Sequence, residues 1–166
     1  MVCDGTMIDF YGYSLRSTES TDLPMATEWL SALARGASRA IDPSRANFFI
    51  VNGNGRENVL VYKNAEPIAF YQAEHIHRAN GIVPPMTDQA RLHFMASPTA
   101  SRKTLLRGIT MLVPLIEKAL ALRGVRAIFF TSHSATMGHF MERRMGYHSA
   151  GRDDADGIIM ARAIRK

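Results

Sequence analysis

His75 and His77 stand two residues apart in PIAFYQAEHIHR (67–78), Glu74 directly precedes them, and His93 follows in QARLHFMAS (89–97). Imidazole and carboxylate groups exchange protons near neutral pH, so Glu74, His75, His77 and His93 are candidates for a general base. A His-x-His pair with a third imidazole is also a zinc pattern. It needs a carboxylate or water to complete the set, and the spacing is common by chance, so no metal site is expected. A second place for chemistry is SPTASRKTLLRGITML (97–112), where a proline opens a turn carrying Arg102, Lys103 and Arg107 ahead of a helical pattern. Basic side chains beside a helix start can hold a phosphate, and they can equally be a solvated helix end. Ser132-His133-Ser134 is a third polar group, after a buried-strand pattern, where open sheets place ligands; Ser134 also suits a helix N-cap.

The elements that must position these residues can be read along the chain. YGYSLRSTE (11–19) alternates as a first strand, and Thr21-Asp22 supply N-cap chemistry to DLPMATEWLSALARG, an amphipathic helix ending at Gly36. NFFIVNGNG (47–55) reads as a short strand into an Asn-Gly turn, ENVLVYKN (57–64) as a strand, and Asn64-Ala65-Glu66-Pro67 as the next turn. PIAFYQAEHIHR continues the antiparallel run. His75 and His77 would share one face and Glu74 the other, with His93 on an adjacent strand. The Gly and Pro-Pro of RANGIVPPMTD (78–88) make it a loop, and QARLHFMAS is the next strand.

From Leu105 the apolar period changes to three and four residues and predicts a helix over 105–124, with Pro114 a kink unless the helix starts later and Gly124 the cap. VRAIFFTS (125–132) is a fully buried strand pattern, ATMGHFMERRMG (135–146) a helix, and YHSAG and GIIMARAI are closing strands around an Asp-rich turn. Met137, Met141 and Met145 fall at core spacings. The order predicts an α/β (α+β) chain with one mixed sheet and helices on both faces.

The 166 residues fit one domain, 1–166, and the composition is that of an ordinary globular protein, 46% apolar and 21% charged. The lone Cys3 excludes an internal disulfide and fits a reducing compartment. No apolar run reaches the ~18 residues of a membrane span, and MVCDGTMIDF lacks a signal-peptide layout, so a cytoplasmic protein without membrane partners is expected. The net charge of +5 would attract polyanions. The basic residues are nevertheless dispersed and do not interleave with aromatics as a single-strand platform requires.

The element order, the strand ARLHFMASP, the basic turn and long helix after it, the buried strand AIFFTS and the ending RRMGY resemble the GNAT superfamily of acyl-CoA-dependent N-acyltransferases, over roughly residues 57–164. The resemblance implies a single-domain, mostly antiparallel twisted sheet and acetyl-CoA, or another acyl-CoA, as cofactor. In the family a Gln/Arg-x-x-Gly-x-Gly/Ala turn and the following helix start hold the pyrophosphate. Here Arg102 takes the leading position, Leu105 and Arg107 stand where glycines are expected, and Gly108 comes one residue late.

The implied cofactor contacts are the main chain of Phe94, Met95 and Ala96, the turn Arg102, Lys103, Thr104, Leu105, Leu106, Arg107 and Gly108, and Ser134 where the family often has asparagine. Glu74, His75 and His93 are the implied base candidates. The tyrosine that many members place in the last helix as general acid is missing, Met141 or Glu142 standing there, and Tyr147 matches a packing position. Two functions are implied. One is a transferase acting on a small-molecule or protein amine. The other is a catalytically degenerate, phage-associated protein of the fold, of internal-virion or Mom-like DNA-modification type, with nucleic-acid or virion partners and no use of acetyl-CoA. Homodimer pairing through the terminal strands is compatible with either.

Overall fold

The computed structural model describes residues 11–36, 42–53, 55–75, 89–153 and 157–164; Cys3, His77 and the 78–88 loop lie outside them. Seven strands, β1 (Tyr13–Ser17), β2 (Arg56–Lys63), β3 (Glu66–His75), β4 (Gln89–Ala96), β5 (Ala127–Ser132), β6 (His148–Arg152) and β7 (Ile158–Ala163), form one sheet in the order β1-β2-β3-β4-β5-β7-β6. The helices are α1 (Leu23–Gly36), α2 (Arg102–Leu122) and α3 (Ala135–Met145), with 3-10 helices at Ser20–Asp22 and Pro43–Phe49. β1 with β2, β5 with β7 and β6 with β7 are antiparallel, and β4 with β5 is parallel. The fold is therefore the expected mixed α/β class with a mostly antiparallel sheet. By compactness the chain divides into two units, Met1–Ala73 with His93–Gly108 and Glu74–Leu92 with Ile109–Lys166.

In the first unit the periodic face of α1 supplies Ala26, Trp29 and Leu30 to a core with Leu60, Phe70 and Met95, and Trp29 meets Phe70 edge-on with ring centroids 5.2 Å apart. β1 is shorter than the expected 11–19 because Tyr11 and Gly12 take left-handed backbone, φ 54° and 74°. Asn64 and Ala65 are both left-handed as well, φ 49° and 65°, the pattern of a two-residue hairpin turn that matches strand twist.

The strand expected over 47–55 is not formed; most of its apolar start belongs to the 3-10 helix Pro43–Phe49. Asp42 caps that helix by accepting from the Ser44 N–H at 2.9 Å, and Pro43 begins it with a preset φ. Arg16 grips Asp22 through two nitrogens, at 2.8 and 2.5 Å, and Asp22 also accepts the Glu19 N–H at 2.8 Å. Burial alone would raise the Asp22 pKa, but the Arg16 hydrogen bonds, the Glu19 amide and the Arg16 charge together hold it below the usual aspartate value.

In the second unit the six-pair ladder from Ala127↔Ala163 to Ser132↔Ile158 joins β5 to β7. α2 ends as expected at Gly124, whose φ of 91° lets its N–H reach the Ala121 carbonyl and that of Val125 reach the Leu120 carbonyl. Pro114 lies inside α2, which starts earlier than position 105. α3 opens at Ser134 and closes at a left-handed Gly146, and Met141 and Met145 are buried. Tyr147 is buried against Phe130 and donates its hydroxyl to Glu117 at 2.8 Å, while Arg162 pairs with the same carboxylate at 3.1 Å and donates to the Met145 carbonyl at 2.6 Å. Burial pushes the Glu117 pKa up against the pull of Tyr147 and Arg162. Burial and the adjacent carboxylate push that of Tyr147 far up.

Two outcomes follow for stability. Asp22→Ala should cost about 2–3 kcal/mol in urea unfolding at neutral pH, because it strands Arg16 and an amide. The Asp22 contribution is complete above the ordinary value of 3.8 and is lost as pH falls through its lower folded value. Glu117 has the opposite sign: its folded pKa lies above 4.5, so stability is greatest below that value and is lost as pH rises through the raised one. Glu117→Gln should therefore gain on the wild type with a slope of up to about 1.4 kcal/mol per pH unit across that window, read from unfolding midpoints.

Candidate functional site

The stretch between β4 and α2 is built without any left-handed residue: none of residues 97–108 has a positive φ. Ser97 is buried and donates its N–H to the Ile68 carbonyl at 2.8 Å, tying the turn to β3. Pro98 follows it, and the Ala100 N–H returns to the Ser97 carbonyl at 3.3 Å, a reverse turn with proline at its favoured second position. Ser97 Oγ meets Thr99 Oγ1 at 2.9 Å and accepts the Thr99 N–H at 3.3 Å.

Ser101 then caps α2. Its side chain accepts the Thr104 N–H at 3.1 Å, and its carbonyl accepts the Leu105 N–H at 3.0 Å. The helix therefore begins at Arg102, three residues before the expected start. Leu105 and Arg107 lie in ordinary helix, where no glycine is required for backbone reasons.

This leaves the amides of Arg102 and Lys103 at the first two positions of a 21-residue helix, where no intrahelical acceptor exists and the positive dipole end is concentrated. The Arg102, Lys103 and Arg107 side chains are exposed, and Thr104, Leu105 and Leu106 are half-buried. That donor set, two amides and three cations on open surface, fits an anionic phosphate group. Gly108 does other work. It is buried, and a Cβ there would lie 3.2 Å from the Tyr13 ring and 3.7 Å from Ile68, so its bare Cα is a packing slot against those two side chains.

Ahead of the turn, β4 is paired in parallel with β5 only over Gln89–Arg91 and Ala127–Phe129, so Phe94, Met95 and Ala96 lie outside that ladder. Met95 points into the core, Phe94 is 41% exposed and Ala96 is half-buried. His93 is half-buried with its ring edge-on to Phe48, centroids 4.8 Å apart, and the Arg56 guanidinium lies over the Phe48 ring, 4.9 Å from its centroid. Phe48 is itself fixed by a buried amide relay: Gln72 Nε2 donates to its carbonyl and, at 2.8 Å, to Asn58 Oδ1, while Asn58 Nδ2 donates to the Val51 carbonyl at 2.7 Å.

The other expected residues fall in the second unit. Glu74 and His75 are half-buried at the end of β3, and both are engaged by other groups. Ser134 is exposed, and its hydroxyl accepts the Met137 N–H at 3.3 Å as the cap of α3. Tyr147 is consumed by Glu117, Met141 is buried, and Glu142 is exposed 3.9 Å from His139. Among the described residues no group of three or more His, Cys, Asp or Glu is placed to hold a metal ion, and no helix is long and apolar enough to cross a membrane.

Sequence reasoning missed Ser101, Phe48 and Tyr13. A serine three residues before Thr104 carried a cap signal hidden by placing the helix start too late. Tyr13, whose hydroxyl donates to the Thr104 carbonyl at 3.0 Å from 91 positions away, carried no local signal.

No family model and no curated protein matches the sequence. Solved structures do match. The GNAT domain of PAT from S. lividans superposes with a TM-score of 0.72 at 14% identity over 95% of this chain and 97% of that one. The ribosomal-protein-S18-alanine N-acetyltransferase from Escherichia coli gives 0.66 at 20% identity over 93% and 95%. Aminoglycoside 6'-acetyltransferase type Ii gives 0.60 at 21% identity over 92% and 98%. With these likenesses spanning nearly the full length of both partners, the chain is a GNAT-fold protein.

Proposed function

We propose that this protein is an N-acyltransferase that moves an acyl group from acetyl-CoA, or another acyl-CoA, to an amine. The observation that carries this reading is the open, cationic start of α2, with the Arg102 and Lys103 amides outside the helical ladder, on a fold shared with acetyltransferases. Arg102, Lys103 and Arg107 pair with the diphosphate oxygens of the cofactor, helped by the helix dipole and the net charge of +5. The main chain of Phe94, Met95 and Ala96, outside the β5 ladder, pairs with the amides of the pantetheine arm. Exposed Phe94 covers its apolar part.

When bound, the cofactor supplies a thioester, an acyl carbon already activated toward a nucleophile. The chain must then free the lone pair of the attacking amine. His93 is assigned that proton, since Phe48 steadies its ring and it lies one residue before the pantetheine-pairing segment. Glu74 and His75 are the remaining base candidates, and Ser134 a cofactor contact at the start of α3. No tyrosine stands in α3, so the thiolate leaves with its proton from water.

Among the similar structures one enzyme acts on the alanine of ribosomal protein S18 and another on aminoglycosides, and the acceptor here is accordingly an amine of a protein or a small molecule. We place the protein in the cytoplasm, where acyl-CoA is made.

A thermal-shift titration tests cofactor use. Acetyl-CoA at one hundred times its dissociation constant should add about 2.7 kcal/mol, several degrees in a domain of this size. Arg102→Ala with Arg107→Ala should weaken CoA binding at least tenfold, and unchanged binding places the phosphate elsewhere. No shift with any acyl-CoA, together with retention on DNA or recovery in a phage particle, supports the degenerate, non-acyltransferase reading instead. His93→Gln should lower kcat by about 10²-fold or more while leaving the CoA dissociation constant unchanged. A loss confined to Glu74→Gln or His75→Gln moves the base there.

A further inference from the structure

We infer that Tyr13 is a positioning residue of the phosphate site, and that Gly108 is the slot that admits it. The inference deepens the acyltransferase reading and rests on it. Tyr13 lies on β1 and is 3% exposed, yet its hydroxyl reaches across to the first turn of α2 and donates to the Thr104 carbonyl at 3.0 Å. Thr104 is also the residue whose N–H is taken by the Ser101 cap. Both polar groups of that one peptide neighbourhood are thus held from outside the helix, one by the cap and one by the sheet. The rigid body so formed carries the Arg102 and Lys103 amides.

The ring sits this close at position 108, one turn further along α2, where there is no side chain. A Cβ there would approach Tyr13 Cε1 to 3.2 Å, closer than a Cβ ordinarily sits to a neighbour. Gly108 has no positive φ, so backbone conformation does not explain the glycine, and the close approach does. Lys63 Nζ also lies 4.4 Å over the Tyr13 ring and donates to the Tyr11 carbonyl at 2.6 Å, which helps to hold the ring. The hydroxyl stays a donor at physiological pH. Burial raises its pKa, and the Arg107 charge lowers it only in part. Tyr13 touches no ligand; it acts through Thr104 on where the amides and Arg107 point.

The test compares Tyr13→Phe with Tyr62→Phe. The second is the same chemical change on β2, where the lost hydroxyl serves Arg16 at 3.0 Å instead of the turn. Isothermal titration with CoA and steady-state kinetics with acetyl-CoA are the readouts. Tyr13→Phe should raise the CoA dissociation constant and the KM for acetyl-CoA about three- to tenfold, with kcat at saturating acetyl-CoA unchanged, and Tyr62→Phe should leave all three as in the wild type. Gly108→Ala should reproduce the Tyr13→Phe shift, because the ring must give way. Wild-type CoA affinity in Tyr13→Phe overturns the inference while leaving the site reading intact, as do equal losses in both Tyr→Phe variants. Absence of CoA binding by the wild-type protein overturns the site reading, and this inference with it.

Discussion

A helix of 21 residues concentrates unpaired N–H groups and a positive dipole at its first turn, and everything proposed for this protein depends on how that turn is held. One common way to build such an anion cradle is a run of glycines that lets the backbone wrap around the ligand. This chain uses rigidity instead. A proline turn anchored to the Ile68 carbonyl, a serine cap and a tyrosine hydroxyl fix the start of α2, and cations are added around it. In the proposed acyltransferase reading, a preset cradle would lose less conformational entropy on binding than a glycine loop does, and arginines pairing bidentately with phosphate would replace contacts such a loop makes.

In the second unit the tyrosine that follows α3 is committed to the core. Tyr147 is buried, bonded to Glu117, and its ionisation is strongly disfavoured; it serves packing together with Phe130. The same cluster concentrates a carboxylate, a phenol and a guanidinium in low-dielectric surroundings, so its charge state matters for stability. The proposed chemistry therefore rests on the half-buried Glu74 and His75 of β3 and His93 of β4, and on water.

Much of the architecture was legible because its signals are local. The three- and four-residue spacing of Ala26, Trp29 and Leu30, the β-branched run of β2 and the glycines at 124 and 146 each state their own element. The failures were local competitions decided by caps. Phe48, Phe49 and Ile50 look like a strand, but Asp42 and Pro43 start a 3-10 helix before them. Leu105 looks like a helix start, but Ser101 nucleates α2 earlier. Of the candidate site, the basic turn and His93 could be found by residue type. The meaning of Gly108 could not, because it is set by a tyrosine far away in the chain, and only the fold brings the two together.

The most direct measurement is a titration of ¹⁵N-labelled protein with CoA, followed through its backbone amide resonances. The account predicts that the Arg102 and Lys103 amides shift most and move downfield as phosphate oxygens accept them, with Phe94 to Ala96 responding alongside. Shifts confined to other segments, with the Arg102 and Lys103 amides unmoved at saturation, would contradict it.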